Sequence, residues 1–431
     1  MMHNSPHRLF RALGRLGLRG LLPALALAAL AGCGALDSAL KVEAPSRIPA
    51  AQLISPDNAV LLVNGAIGDF ECAAGAYDAL TSVLAGEMTD ATQTADRWPY
   101  DKRDVHSSDA RYAVDACDAL GVYTPLSTAR FSADTILTSL QGWTDAQVPN
   151  RQDLIAKAAA YAGYSYLLLG EGFCSMAIGG GKAQTPQEIF ALAEQRFATA
   201  LAAAQAAGDN DILDLAYVGR ARTRLDLGNT QGAASDAAQV PPGYVHVITA
   251  SAASSRRNNR IYAQSGVGGT AGSALSVGPT YRTVTFQGVP DPRVKVYDAQ
   301  QTATEGTPLF FQQKFNSLSD PLPMATGTEA QLILAEVKGG QTAVDIINAL
   351  HDRAGLPHFS ATDPAAIQAQ VIEERRRELW LQGNRFYDIN RLKLPLDPAP
   401  GTAYRKGGTY GSTVCLPLPD VETQNNPNLG G

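Results

Sequence analysis

Charged residues crowd one short stretch near the end of the chain. Glu373-Glu374-Arg375-Arg376-Arg377-Glu378 is followed by Arg385, Asp388 and Arg391. Two chemistries suit such a cluster. Paired carboxylates can act as general acid and base on a glycosidic bond. Carboxylates facing arginines instead form partly buried ion pairs, which the planar guanidinium fork favours. The elements underneath bear on the choice. Asp363 is a capping residue, and Pro364 fits the first helical position, where its missing N–H has no partner to lose. Ile367, Val371 and Leu379 share one stripe at helical spacing. These signals predict a helix over about Pro364 to Gln382, with Gly383 at a left-handed stop. Glu374, Arg375 and Glu378 then lie beside the apolar stripe rather than opposite it. Arg385, Asp388 and Arg391 recur every three residues and fall on one face downstream. The expected role is structural: an ion network of Glu374, Arg375, Glu378, Arg385, Asp388 and Arg391 that locks two C-terminal helices together.

The same run, Glu373 to Arg391, resembles the C-terminal signature of the SusD/RagB family, whose pattern reads ER-x-EL-x-x-EG-x-R-x-x-D-x-x-R. The chain supplies Glu374, Arg375, Glu378, Leu379, Gly383, Arg385, Asp388 and Arg391. It departs at Gln382, where the family usually has glutamate, which removes one acid from the network. Weaker likenesses run through the rest. They include Gly86-Glu87-Met88-Thr89-Asp90 after a helix, Asp291-Pro292-Arg293, Lys314-Phe315, and Ala335-Glu336-Val337. Arg353-Ala354-Gly355-Leu356-Pro357 is another, with His351 where an arginine would be common. The resemblance implies an outer-membrane lipoprotein that binds a nutrient, most often a glycan, and passes it to a SusC-like TonB-dependent transporter.

The N-terminus has the order of a lipoprotein leader. Arg8, Arg11, Arg15 and Arg19 precede an apolar run, Leu21 to Ala31, that is too short to span a bilayer. Leu30-Ala31-Gly32-Cys33 resembles a lipobox. It implies removal of residues 1–32, lipidation of Cys33, a tether over 33–50 and attachment to the outer membrane facing outward. Removal takes away four arginines and no acid, moving the net charge from −6 to −10. Such an acidic protein is a poor partner for nucleic acid. Cys72, Cys117, Cys174 and Cys415 remain, an even number in an exported chain. They permit three pairings, which the sequence does not choose between; Cys72–Cys117 with Cys174–Cys415 is preferred.

The expected fold is mainly α: a tetratricopeptide-like scaffold of helical pairs with a loop-rich ligand-binding region containing a few short strands. Residues 51–240 carry the pairs. Asn150 is placed to cap one helix, in which Gly163, Tyr166 and Gly170 have tetratricopeptide spacing. Thr185-Pro186-Gln187-Glu188 is a capping box opening the next, which Gly208 stops. Helical periodicity fades over 241–324, where Tyr281 to Phe286 reads as a strand. It returns over 325–431.

Binding groups tend to sit on loops held by a rigid scaffold, so the expected ligand contacts are Trp98 and Tyr100, stiffened by Pro99, together with Tyr262 and Tyr281. Exposed rings suit a sugar's C–H face. For each, burial in the fold is the plainer role. His351 and His358 are too few and wrongly spaced for a metal site, no cofactor motif is present, and neither G-x-S-x-G nor H-E-x-x-H occurs. The expectation is a non-enzymatic nutrient-binding protein, most often a glycan binder. Its rivals are an envelope helical-repeat scaffold for peptide or protein, and a glycoside hydrolase.

Overall fold

A computed structural model describes residues 53–117, 120–269 and 273–429. Cys33, the leader and the tether lie outside them. Ile54–Gly431 form one unit, which contains the elements below. The scaffold is helical: α1 (Ala59–Leu84), α2 (Tyr123–Gly142), α3 (Arg151–Gly172), α4 (Pro186–Ala207), α5 (Asn210–Asp226) and α6 (Thr230–Ala237). After the loop-rich stretch come α7 (Gly327–Lys338), α8 (Gly340–Ala354), α9 (Pro364–Glu378) and α10 (Asn384–Arg391).

Local chemistry sets the helix ends. Thr185 accepts the Glu188 N–H, and the Glu188 carboxylate accepts the Thr185 N–H at 2.7 Å, closing the predicted box. Asp209, Thr326 and Asp363 cap α5, α7 and α9 in the same manner, each contributing about 1 kcal/mol. Asn150 does not cap α3. Its backbone is left-handed, φ 56°, and its side chain makes no capping bond.

Between α3 and α4 the backbones approach closely. A Cβ on Gly170 would stand 2.5 Å from Phe190, and one on Gly163 would stand 2.8 Å from Phe197. Small residues here let whole rings seat against the neighbouring helix. The second half of α1 is buried, and the helix packs on α2, α3 and α10. It is apolar and long enough to cross a membrane, but half of that stretch is enclosed by protein.

Short antiparallel pairs decorate the scaffold. β1 (Met88–Asp90) pairs with β3 (Leu275–Val277), and β2 (Val245–Ile248) with β6 (Leu322–Thr326). β4 (Val296–Thr302) and β5 (Pro308–Gln312) form a hairpin. The strand predicted at Tyr281 to Phe286 shrinks to Thr285–Phe286, because Pro279–Tyr281 turn as a 3-10 helix. Two disulfides hold the body: Cys72–Cys117, and Cys174–Cys415 across 241 residues of sequence. This is the preferred pairing.

The predicted C-terminal helix stops at Glu378, four residues early. The Leu381 N–H leaves the helical ladder and donates to the buried Glu87 carboxylate at 3.2 Å. Gly383, φ 78°, then opens α10 instead of closing α9. A Cβ there would lie 2.6 Å from Asp78 Oδ1, so glycine is required by space as well as by backbone angle.

Candidate functional site: a ring-lined hollow beside a network of buried charges

The C-terminal helices place their charges in two linked groups. Arg375 on α9 donates twice to Asp388 on α10, both at 2.9 Å. Arg391 joins Asp388 at 2.9 Å and Glu336 of α7 at 2.5 Å. On the other side of α9, Arg293 donates to Glu374 at 2.5 Å, Glu378 at 3.0 Å and Asp291 at 2.7 Å. His351 completes the shell of Glu374, 2.9 Å away. Its other ring nitrogen faces the Pro357 carbonyl at 2.7 Å. Burial pushes the Asp388 carboxyl upward, but Arg375 and Arg391 outweigh it and hold the group down at about 2.

Sequence reasoning missed Asp291, Arg293, Glu336 and His351 as members of these groups. Three of the four stood in family-like motifs, so the signal was present without the pairing. Arg385 was expected in the network and is absent from it. It makes no ion pair or hydrogen bond with a described residue, and its Nη1 is buried without a partner. The neutral Gln382 three residues earlier turns its amide to the Glu378 carbonyl instead.

A second buried set lies under the helical pairs. Arg222 of α5 grips Glu171 of α3 through two bonds of 2.6 and 2.5 Å, and Glu329 of α7 lies 3.5 Å away. Nearby, Glu87 and Lys314 are enclosed without touching. Burial pushes Glu87 up to about 7, partly offset by the Leu381 N–H and Arg385. Burial pulls Lys314 down to about 8, partly offset by Glu87 and Glu378. The Lys314 ammonium donates to the Trp380 carbonyl at 2.5 Å.

The four predicted ring contacts separate. Tyr100 is wholly buried, and its hydroxyl accepts the Tyr112 N–H and donates to the Asp109 carbonyl. Tyr281 is also buried, stacked on Trp380 with ring centroids 6.1 Å apart. Tyr100 presents no ring face to a ligand, and Tyr281, although it lines a cavity beside Arg385, has the Arg376 guanidinium 4.8 Å from its ring centroid as well as Trp380 against it. Trp98 is half-buried, donates to the Thr92 carbonyl at 3.2 Å, and has the Lys406 ammonium over its ring.

Tyr262 faces a different hollow. It shares a cavity of about 260 Å³ with Tyr297, Gln313, Phe315 and Asn316. Tyr297, on β4, is 47% exposed. Sequence reading passed over it because it lies inside a strand-like run, although its polar neighbours Asp298 and Gln300 signalled a solvent-facing strand. The Tyr262 hydroxyl is anchored on the Val267 carbonyl at 2.8 Å, which fixes its ring. Among the described residues, no cluster of histidine, cysteine and acidic side chains could hold a metal ion.

Residues 329–430 match the model of the SusD family. Over that segment the chain is similar to the SusD family. A SusD superfamily protein from Bacteroides vulgatus has the same fold, with a TM-score of 0.66 at 14% identity over 86% of this chain and 97% of that one. A SusD-like carbohydrate binding protein from the same organism gives 0.65 at 14% identity, over 87% and 97%. Surface glycan-binding protein A from Bacteroides thetaiotaomicron, solved with laminarihexaose, gives 0.61 at 14% identity, over 83% and 97%. No curated protein matches the chain in sequence. The SusD-like segment contains α7 to α10, and so includes the Arg375–Asp388–Arg391 group.

Proposed function

We propose that this chain captures carbohydrate without altering it, at the hollow between Tyr262 and Tyr297 on the region 241–324. The observation that carries this reading is the pairing of an anchored tyrosine with an exposed one in a single hollow, edged by the Gln313 and Asn316 amides. Aromatic faces accept the C–H side of a sugar ring, and amides orient its hydroxyls by offering both donors and acceptors. The laminarihexaose bound by one structural relative supports the ligand class. Trp98, half-buried beside the Lys406 ammonium, is a second contact in this reading.

The rest of the proposal follows from the leader and the SusD-like character. The protein is held at the outer membrane through lipid on Cys33, faces outward, and hands its ligand to a SusC-like TonB-dependent transporter. No cofactor enters the reading. Carboxylates of the C-terminal network are each engaged by arginine, histidine or amide, which supports binding rather than hydrolysis.

Calorimetric titration with neutral oligosaccharides, laminarihexaose among them, tests this directly. Binding should weaken about tenfold in Tyr297→Ala, less in Trp98→Ala, and no shortened product should form overnight. The absence of binding to any glycan, or binding indifferent to Tyr297, would sink the assignment. Product formation would favour a hydrolase, and competition by peptide a scaffold.

A further inference from the structure

Three arginines stand apart from the paired charges, and they share one cleft. Arg103 is 1% exposed. Its Nη nitrogens rest on the Asp397 and Pro398 carbonyls, and its Nε is buried with no partner. Arg282 gives its Nε to the Val277 carbonyl at 3.0 Å and lies over the Phe310 ring. Its remaining N–H groups have no partner among the described residues. Arg385 has none at all among them, as noted above.

Arg103 and Arg282 line a cavity of about 240 Å³, with Arg405 on the same wall. Arg103 and Arg385 line a second, of about 280 Å³, with Arg376. The two share Arg103, Thr280 and Asp397 in their linings, so they adjoin and are together called the cleft. Arg103 is the buried one of the three, whereas Arg282 and Arg385 are half-buried. A buried guanidinium with no carboxylate in bonding reach is costly. Asp101 and Asp397 offset that cost for Arg103 only at longer range. Burial lowers both Arg103 and Arg282 from the usual arginine range, and Arg405 lowers Arg282 further. Arg103 also holds a left-handed backbone, φ 54°, uncommon for so long a side chain. The Gly411 and Thr413 N–H groups fix it there by donating to the Lys102 and Arg103 carbonyls.

We propose that this cleft is a binding site for a ligand carboxylate, received by Arg282 and Arg385 with Arg103 between them. The guanidinium fork matches a planar carboxylate through two parallel bonds. A single negative charge suits the walls better than a doubly charged phosphate, because Asp101, Glu373 and Asp397 line them too. Asp101 is engaged by Arg405 at 3.2 Å and Glu373 by Arg376 at 2.8 Å. Arg103, Arg282 and Arg385 therefore face Asp397 as the one lining acid without an ion-pair partner among the described residues, and keep an excess of positive charge for the incoming group. The Tyr410 ring and Pro279, Pro308 and Pro398 give the cleft apolar sides for the body that carries the acid. That body is either a sugar acid within a glycan or a small free carboxylic acid. The assignment does not depend on sugar binding at the Tyr262–Tyr297 hollow.

The test is calorimetry on full-length, detergent-extracted protein with three probes: trigalacturonate, the same trisaccharide with its carboxyls reduced, and succinate. Trigalacturonate should bind at least about tenfold more tightly than the reduced form, the loss expected for removing a charge-assisted pair. Arg282→Gln and Arg385→Gln should each weaken it by about the same factor. Arg282→Lys, which keeps charge but loses the fork, should fall between. Succinate that binds and competes would assign the site to free acids; uronate alone would assign it to acidic glycans. Equal affinity for acid and reduced trisaccharide would overturn the proposal, as would no binding of either acid. The comparison of ligands needs no variant to fold. Tyr297→Ala should leave acid binding intact, which separates failure here from failure at the hollow.

Discussion

Two regions, both built on arginine, meet around α10 and differ in one respect. In the first, the charges of Arg375, Arg391 and Arg293 are saturated by Asp388, Glu336, Glu374, Glu378 and Asp291, although Arg375 Nη1 is buried without a hydrogen-bond partner. In the second, Arg103, Arg282 and Arg385 find carbonyls, a ring face or nothing. The contrast separates charge used to hold a fold from charge kept for something else. A guanidinium whose charge is met by carboxylates has little attraction left for an anion. A guanidinium at a cavity wall with no carboxylate in bonding reach keeps its charge for an anion. The dividing line runs through α10 itself, since Asp388 and Arg391 belong to one side and Arg385 to the other.

The comparison breaks most visibly at Asp388. Removing it as Asp388→Ala leaves Arg375 buried with only Glu336 nearby, 3.7 Å away, and should cost roughly 3–5 kcal/mol in urea unfolding. A loss under about 1 kcal/mol would mean that the saturated side does not hold the fold. The pH dependence has a definite sign. The native Asp388 carboxyl is held at about 2, below its ordinary 3.8. Its contribution is therefore complete above about pH 4 and is lost as pH falls through about 2.

Glu87 behaves in the opposite sense. Its native pKa is about 7 against an ordinary 4.5, so the unfolded chain gives up the proton first as pH rises. Stability should fall between about pH 4.5 and 7 by at most roughly 3 kcal/mol. Glu87→Gln keeps the acceptor for Leu381 and should flatten that slope; an unchanged slope in chemical denaturation at several pH values would refute the assignment. Gln382→Glu sharpens the comparison further. A carboxylate three residues before Arg385 should move that arginine to the saturated side. It should add under about 1 kcal/mol of stability and weaken trigalacturonate several-fold. The smallest effect belongs to Arg282→Gln, whose unfolding free energy should change by less than about 1 kcal/mol because no carboxylate is stranded.

What the sequence disclosed and what it withheld divide along the range of the interactions. Asp363, the Thr185–Glu188 box and Gly208 act within four residues, and their roles were legible. Gly163 and Gly170 were legible too, because the repeat spacing already implied a facing helix. The end of α9 was not, since it turns on Glu87, nearly 300 positions away. Tyr100 and Tyr281 read as ligand contacts because composition cannot tell an exposed ring from one stacked in the core. Tyr297 and the unpaired arginines were hidden for the converse reason: being unsatisfied is a property of the assembled neighbourhood. The fold class was therefore open to reading, whereas only Tyr262 of the proposed hollow was.

The Cys174–Cys415 bond joins the turn after α3 to the closing segment, and Leu416 ties down beside it through bonds with Gly172 and Cys174. The whole loop-rich stretch lies inside the ring this bond closes. A protease that nicks any loop between those two cysteines would open the backbone without releasing a fragment. Cut protein would run as one piece until reduced, and the two halves of the loop-rich region would stay in register after the cut.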